Sequence, residues 1–145
     1  MGYSTYSFSD VSQTISHPSL GQYVLNGEGV GSISVAMAND NTVHDVSADG
    51  SVMSSKIKVK NGTLQISVQQ TAELNTWLLK AYNYAYTAPV NEWARFQIII
   101  RAPLMKHSVT ATGVSFQKIA DRSYQSQGQQ VTWTLMAADI QQEAI

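Results

Sequence analysis

Three histidines, two aspartates, a glycine-rich loop and a row of lysines are the residues of this chain whose types could do chemistry. His17, His44 and His107 would serve as metal ligands or general bases if each stood at a fixed spacing from a second ligand or a nucleophile. Each is isolated, and the chain has no HExxH, GxSxG or Walker loop, so they read as surface or turn histidines. Asp45 and Asp49 could share a site, but "ADG" at 48–50 already explains Asp49 as a turn residue. Gly27, Gly29 and Gly31 resemble part of a phosphate-binding fingerprint. Such a fingerprint must open a helix, and here the strand pattern "ISVAM" follows. No catalytic residue, metal ligand or cofactor site is assigned, and the expectation is a protein that is not an enzyme.

The lysines have a different use. Lys56, Lys58 and Lys60 alternate in "SKIKVKNGTLQISVQQ". If Asn61-Gly62 makes a type I′ turn, Lys60 pairs with Thr63, Val59 with Leu64 and Ile57 with Ile66. All apolar residues then share one side of a hairpin and the lysines the other. No aromatic residue interleaves with them, so stacking on single-stranded nucleic acid is not indicated. The first 55 residues hold Asp10, Glu28, Asp40, Asp45 and Asp49 and no Lys or Arg, while the remainder holds nine bases against five acids. That split predicts electrostatic contact between copies, with the lysine row near Asp40, Asp45 and Asp49 of an adjacent subunit.

The elements that would position these residues are mostly strands. At 145 residues the chain suits one domain, 1–145. Charge is scarce at 13%, as suits antiparallel sheets with neutral outer faces or surfaces that pack on copies of themselves. With no cysteine, disulfides and thiolate chemistry are excluded. No apolar run approaches a membrane span, and the start lacks the regions of a signal peptide.

"YSFSDVSQTI" reads as a first strand with a phase change near Ser9 and Asp10, followed by a loop, "SLGQYVLNGEGVGS". Ile33, Val35 and Met37 mark a strand, to which "TVHDV" returns. Residues 71–88 switch to helical period. Thr71 is the expected N-cap, Leu74, Trp77, Leu78, Ala81, Tyr82 and Ala85 form the buried stripe, and Pro89 ends it. Leu79, Tyr84 and Tyr86 lie off that stripe and are expected to face a neighbouring subunit. "EWARFQIIIRAP" is a strand with Ala94, Phe96, Ile98 and Ile100 inward. The apolar phase slips at Gly113, which predicts a β-bulge. "DRSYQSQGQQ" is a polar loop, and "VTWTLMAADI" a last strand with Val131, Trp133 and Leu135 on one face. The sum is about eight short strands and one helix. The fold class is α+β: a mainly antiparallel β-sandwich or partly closed β-barrel with one flanking α-helix and a β-hairpin. Its core is expected to include Leu74, Trp77, Leu78, Tyr82, Phe96, Ile98, Trp133 and Leu135.

"YSFSDV", "ISVAM", "ADGSVM" and "NGTLQISVQQTAELNTWL" together resemble the tail tube proteins of contractile-tailed bacteriophages. In their pattern a glycine-led strand ends in a Gln-Thr pair and runs into a helix with an early Asn. Gln70, Thr71 and Asn75 stand in those places. The resemblance covers about the first two thirds of the chain. It implies two antiparallel sheets with a flanking helix and an extended hairpin, a fold similar to the type VI secretion tube protein. It further implies six-membered rings whose sheets join edge to edge around a lumen and which stack head to tail. Sheath, tape measure and baseplate proteins are the implied partners. The resemblance implies as well that double-stranded DNA passes non-specifically through the lumen, that no membrane is engaged, and that the protein resides in the virion tail after assembly in the host bacterial cytoplasm. The alternatives from other classes are a β-sandwich module of the tail or baseplate that binds a receptor or sugar, a type VI-like secretion tube subunit, and a small hydrolase.

Overall fold

The computed structural model describes residues 2–25, 27 and 29–145. Glu28, one of the acids counted above, lies outside the described residues. Among the described residues there are nine strands and one α-helix: β1 (Ser12–His17), β2 (Gly21–Val24), β3 (Val30–Met37), β4 (Thr42–Val46), β5 (Val52–Lys56), β6 (Gly62–Gln69), α1 (Glu73–Thr87), β7 (Phe96–Ala102), β8 (His107–Phe116) and β9 (Gln130–Ala144). Single 3₁₀ turns occupy Phe8–Asp10, Val90–Glu92 and Pro103–Met105. The first coincides with the phase change expected near Ser9 and Asp10.

Seven strands form one curled antiparallel sheet in the order β2-β1-β7-β8-β9-β6-β3, and β4 and β5 pair separately as a two-stranded ribbon. The fold is α+β and mainly antiparallel, as expected. Of sandwich and partly closed barrel, it is the curled single sheet that forms, with α1 across its apolar face. β2 falls inside the segment expected to be a loop. Ala94 is exposed and precedes β7, so the inward set of that strand begins at Phe96.

The expected hairpin at Asn61-Gly62 does not form. β6 has both edges taken, with Ile66 opposite Ile33 on β3 and opposite Trp133 on β9. Residues 57–61 lie outside the strands and are held to the segment before β4, with Ile57 N–H donating to the Asn41 carbonyl at 2.9 Å and Ala38 N–H to the Asn61 carbonyl at 3.0 Å. Gly62 is not among the glycines with positive φ. Its lack of a side chain serves close packing, because a Cβ there would collide with the Ala36 carbonyl oxygen and lie 2.8 Å from Ile140 Cδ1. Likewise "TVHDV" turns away from β3 and pairs with β5, Val46 opposite Val52.

The bulge at Gly113 is present. Phe96 pairs with Val114 but Ile98 with Ala111, so two residues of β8 oppose one of β7. Gly113 has φ +63, and a Cβ there would stand 2.8 Å from that of Ala138.

The core lies between the sheet and α1. Leu64, Ile66, Leu78, Ile98, Trp133 and Leu135 are fully buried, and Leu74 and Phe96 nearly so. Phe116 joins Phe96, Trp133 and Tyr82 through edge-on ring contacts at 5.3, 5.4 and 5.6 Å. Trp77 and Tyr82, placed in the core from the sequence, are only half-buried. Trp77 stacks on Tyr23 of the short edge strand at 5.5 Å, and Tyr82 on exposed Tyr86 at 6.0 Å, so part of each ring stays at the surface. Ala72, not Thr71, occupies the N-cap, and no side-chain cap bond forms. Ala72 is buried against Gly29, where an added Cβ would come within 2.8 Å of it.

Candidate functional site, an assembly surface

One face of the sheet carries the helix; the other is bare. The alternation of each strand sends Ser12, Thr14 and Ser16 of β1, Thr110, Thr112 and Ser115 of β8, Thr132 and Thr134 of β9, Thr63, Gln65 and Ser67 of β6, and Ser32 and Ser34 of β3 to the bare side. Register confirms the grouping, since Ser34, Gln65 and Thr134 lie in one row across three strands. Among the described residues, charge on this face is confined to the corner where β7 ends and β9 runs out. There Arg101, Ser108 and Glu143 are in one row and Asp139 faces Thr112. Elsewhere the face offers hydroxyls and amides, with Ile99, Met136 and Ala36 between them.

Among the described residues, the two edges of this sheet, β2 and β3, have no strand partner on their outer sides. β3 offers eight residues and β2 four. Such edges are templates for pairing with another chain.

The third surface is the arm formed by β4 and β5. Every residue of β4 and four of five in β5 are exposed. Val43, Val46, Val52 and Met53 show between 52% and 62% of their surface. The ribbon projects clear of the sheet. Its tip is a tight turn in which the Asp49 carboxylate accepts hydrogen bonds from the Ser47 hydroxyl and from the Ser51 backbone N–H at 3.0 Å. These bonds, that of Ser47 above all, hold the Asp49 carboxyl down to about 2. Gly50 supplies the positive φ of the turn at +89.

The lysines and aspartates singled out from the sequence gather on and beside this arm. Lys56 ends β5 opposite Thr42, and Lys58 and Lys60 lie on the link that follows. The Lys60 carbonyl accepts a bond from Ile140 N–H at 2.7 Å, tying the link to β9. Asp40 precedes β4, Asp45 faces Met53, and Asp49 is at the tip. Both signs of charge therefore sit on one projection, and none of these six residues is ion-paired among the described residues. Of the residues set aside for a neighbour, Leu79 and Tyr84 are half-buried, Tyr84 edge-on to the His17 ring at 5.7 Å. Tyr86 is 70% exposed and stacks on Tyr82.

Two polar clusters escaped the sequence reading. His17 is buried, not a surface histidine. Its Nδ1 accepts the Ser19 backbone N–H at 3.0 Å, so Nε2 carries the proton and donates to the Glu92 carbonyl at 3.1 Å. That ring ties the β1–β2 turn to the segment after the helix. Glu92 is held in turn by Arg95 at 3.1 Å. The second cluster explains the early Asn of the helix. Asn75 accepts from buried Trp133 Nε1 at 2.9 Å and donates to the Gln70 carbonyl at 3.1 Å. The Gln70 side chain then holds the polar loop, donating to Ser123 O and accepting from Gln129 N–H. Isolated polar letters at 17, 70 and 75 gave no spacing from which these partners could be read.

No cluster of metal-ligating groups occurs among the described residues, and no helix among them is long and apolar enough to cross a membrane. The surfaces of this chain can pair edges, pack apolar side chains and present a neutral wall.

No curated protein sequence matches the chain significantly. Solved structures do. The baseplate of the anti-feeding prophage, 6-fold symmetrised, contains a chain that aligns with TM-score 0.63 at 9% identity, over 99% of this chain and 98% of that one. The cap that terminates the tube of the same prophage aligns with TM-score 0.61 at 12% identity, over 100% and 94%. The sheath–tube complex of an extracellular contractile injection system, PVC, in its extended state gives 0.54 at 9% identity, over 93% and 88%. At such identities the likeness is one of fold. The sequence itself matches the family model for the bacteriophage PhiTE tail tube protein over residues 3–144. With nearly the whole chain matched and the fold shared with components of contractile tubes, this protein belongs to the PhiTE tail tube family.

Proposed function

We propose that this tail tube protein forms six-membered rings that stack head to tail, and that the bare sheet face lines the lumen through which double-stranded DNA leaves the particle. The observation that carries this reading is the bare face itself. A wall built from Ser, Thr and Gln offers few cationic contacts, and phosphate affinity grows with the number of Lys and Arg contacts. DNA can slide past such a wall without being held. The free edges of β2 and β3 fit lateral joining of neighbouring subunits, which removes both edges at once.

In this arrangement Lys56, Lys58 and Lys60 approach Asp40, Asp45 and Asp49 of an adjacent subunit in the head-to-tail stack, and Leu79, Tyr84 and Tyr86 lie towards adjoining subunits. Sheath, tape measure and baseplate proteins are the other partners, and assembly takes place in the host bacterial cytoplasm. The protein has no enzymatic role in this reading.

Negative-stain microscopy of the purified chain at high concentration tests the proposal. Hollow rings or tubes are expected, and a chain that stays monomeric at every concentration counts against it. Placing lysine at Gln65, Thr110 and Thr132 should leave assembly intact and create salt-dependent binding of duplex DNA. Unchanged DNA affinity in assembled triple-lysine tubes would exclude this face from the lumen.

A further inference from the structure

His17 is a titratable group for which the assembly surfaces have no use, and its ring is fully enclosed. The side chain has no exposed surface, and it stands at the end of β1 where the chain turns into β2. Its Nδ1 accepts the Ser19 N–H at 3.0 Å, and its Nε2 donates to the Glu92 carbonyl oxygen at 3.1 Å. The His17 carbonyl accepts the Leu20 N–H at 3.2 Å and closes the turn. Both ring nitrogens are therefore taken, and Nδ1 is taken as an acceptor, a role open only to the neutral ring.

We propose that His17 is a pH-sensitive pin, whose protonation opens the β1–β2 turn and loosens the edge strand β2. Imidazole is the side chain whose charge changes between about pH 5 and 8. A proton added at Nδ1 points at the Ser19 N–H, donor against donor. The groups facing the ring decide which partner yields. Glu92, from the turn after the helix, holds one carboxylate oxygen 3.4 Å from Nε2, while Arg95 binds the other at 3.1 Å. Tyr84 of α1 stands edge-on at 5.7 Å, and Phe96 of β7 lies at 4.7 Å. The Glu92 carboxylate favours a charged ring and keeps it in place. The bond that gives way is therefore the one from Ser19.

The strand that follows is poorly held at its start. β2 has four residues and, among the described residues, pairs on one side only, from His17–Gly21 to Thr14–Val24. Gly21 sits at φ +83, so the chain enters β2 directly from the turn. The side-chain anchor of β2 lies further on, where Tyr23 stacks on Trp77 at 5.5 Å and its hydroxyl donates to Glu73 at 3.2 Å. Opening the turn frees the pairs His17–Gly21 and Ser16–Gln22 while Tyr23 stays docked.

The direction follows from the state that each bond serves. The Ser19 bond belongs to the neutral ring, so it is intact at the alkaline end of the imidazole range and lost as pH falls. Asp49 does not interfere, because its carboxyl lies at about 2, well below that range. β2 is one of the two edges assigned above to lateral joining, so joining weakens on acidification. That last step rests on the ring reading, whereas the pin itself does not.

Amide hydrogen exchange of the full chain tests the pin without any assembly. Protection of the Ser19 N–H, taken against its intrinsic rate at each pH, should fall about tenfold between about pH 8 and 5, the range of one net hydrogen bond. The Ile140 N–H, bonded to the Lys60 carbonyl at 2.7 Å, should keep its protection. In His17→Asn the side-chain oxygen can accept the Ser19 N–H but takes no proton, so Ser19 protection should stay constant. Glu92→Gln keeps the carbonyl and removes the carboxylate, and should move the Ser19 transition to lower pH. Constant Ser19 protection in the parent chain overturns the pin, as does joint loss of Ser19 and Ile140 protection. Rings of the parent chain should come apart on acidification at a pH where His17→Asn rings persist, read by light scattering. Rings of both chains that respond alike overturn the link to the edge. A chain that forms no rings overturns the ring reading itself, and Ser19 exchange still decides the pin.

Discussion

Asn75 is the residue on which the helix start, the last strand and the polar loop converge. Replacing it with Leu leaves the Trp133 indole N–H and the Gln70 carbonyl without their partner. Each buried unpaired group costs about 1–3 kcal/mol, so Asn75→Leu should lower unfolding free energy by at least that range in urea titrations. Adding Trp133→Phe to Asn75→Leu should cost less than the two single changes summed, because the donor is removed with its acceptor. Strict additivity would mean that the bond contributes nothing. Asp49 gives a second prediction. Its folded carboxyl lies at about 2 against an ordinary 3.8. Its contribution to the turn is therefore complete above the ordinary value and lost as pH falls through about 2. An NMR titration of the Asp49 carboxyl should show that depressed midpoint. Ser47→Ala should move it upward, and an ordinary midpoint in the unmodified chain would refute the turn geometry. The position of Asp49 in a turn was legible from "ADG". The Asn75 and His17 bonds were not, since their partners lie 58 and 75 residues away along the chain.

At the scale of elements, two glycines divide what sequence pattern can and cannot say. The phase slip at Gly113 marked a bulge correctly because alternation on one strand records which face each residue takes. Gly62 misled, because Asn-Gly before an apolar run has the form of a hairpin turn. The strand that follows was already claimed on both sides by partners remote in sequence, β3 and β9. Gly113→Ala puts a side chain in the left-handed region, at about 1–2 kcal/mol, before any contact with Ala138 is counted. Gly62→Ala suffers crowding alone, which typically costs about 1–3 kcal/mol. Both should unfold at lower denaturant than the parent chain, and a neutral Gly62→Ala would show that β3 and β6 can separate freely. The helix stripe was legible from its spacing, but not how far the sheet extends beneath it. Trp133→Ala should cost about 3–5 kcal/mol. Trp77→Ala, at a half-buried site stacked on Tyr23, should cost roughly half as much, and thermal unfolding of the pair would rank them.

For the whole molecule, family and fold class were legible, since "YSFSDV" and the strand-to-helix segment carry the first and alternation the second. The apolar character of the arm was not drawn from "TVHDV" and "VMSSK", although apolar residues there fall on both faces and fit no buried side. Excising residues 42–56 in favour of a short glycine linker should leave the fold intact, because nine of the ten residues of β4 and β5 are exposed and, among the described residues, these strands pair only with each other, and should abolish stacking. Loss of the folded spectrum would show that the arm is part of the body. Reversing Lys56, Lys58 and Lys60 to Glu should slow assembly at low salt. Each exposed pair is worth only about 0–1 kcal/mol, so the triple variant and not the single ones should show it by light scattering. Leu79→Ala should weaken assembly more than it weakens the fold. If rings stack head to tail as proposed, the arm gives the stack a direction, with projecting tips at one terminus and none at the other. A chain without its arm can still be seated on projecting tips, but offers none to the next arrival. Mixed in at low proportion, such chains act as terminators at one terminus alone. If tubes shorten as their share rises, growth proceeds by seating new rings onto projecting arms. If tube length does not change, new rings enter arm first at the opposite terminus.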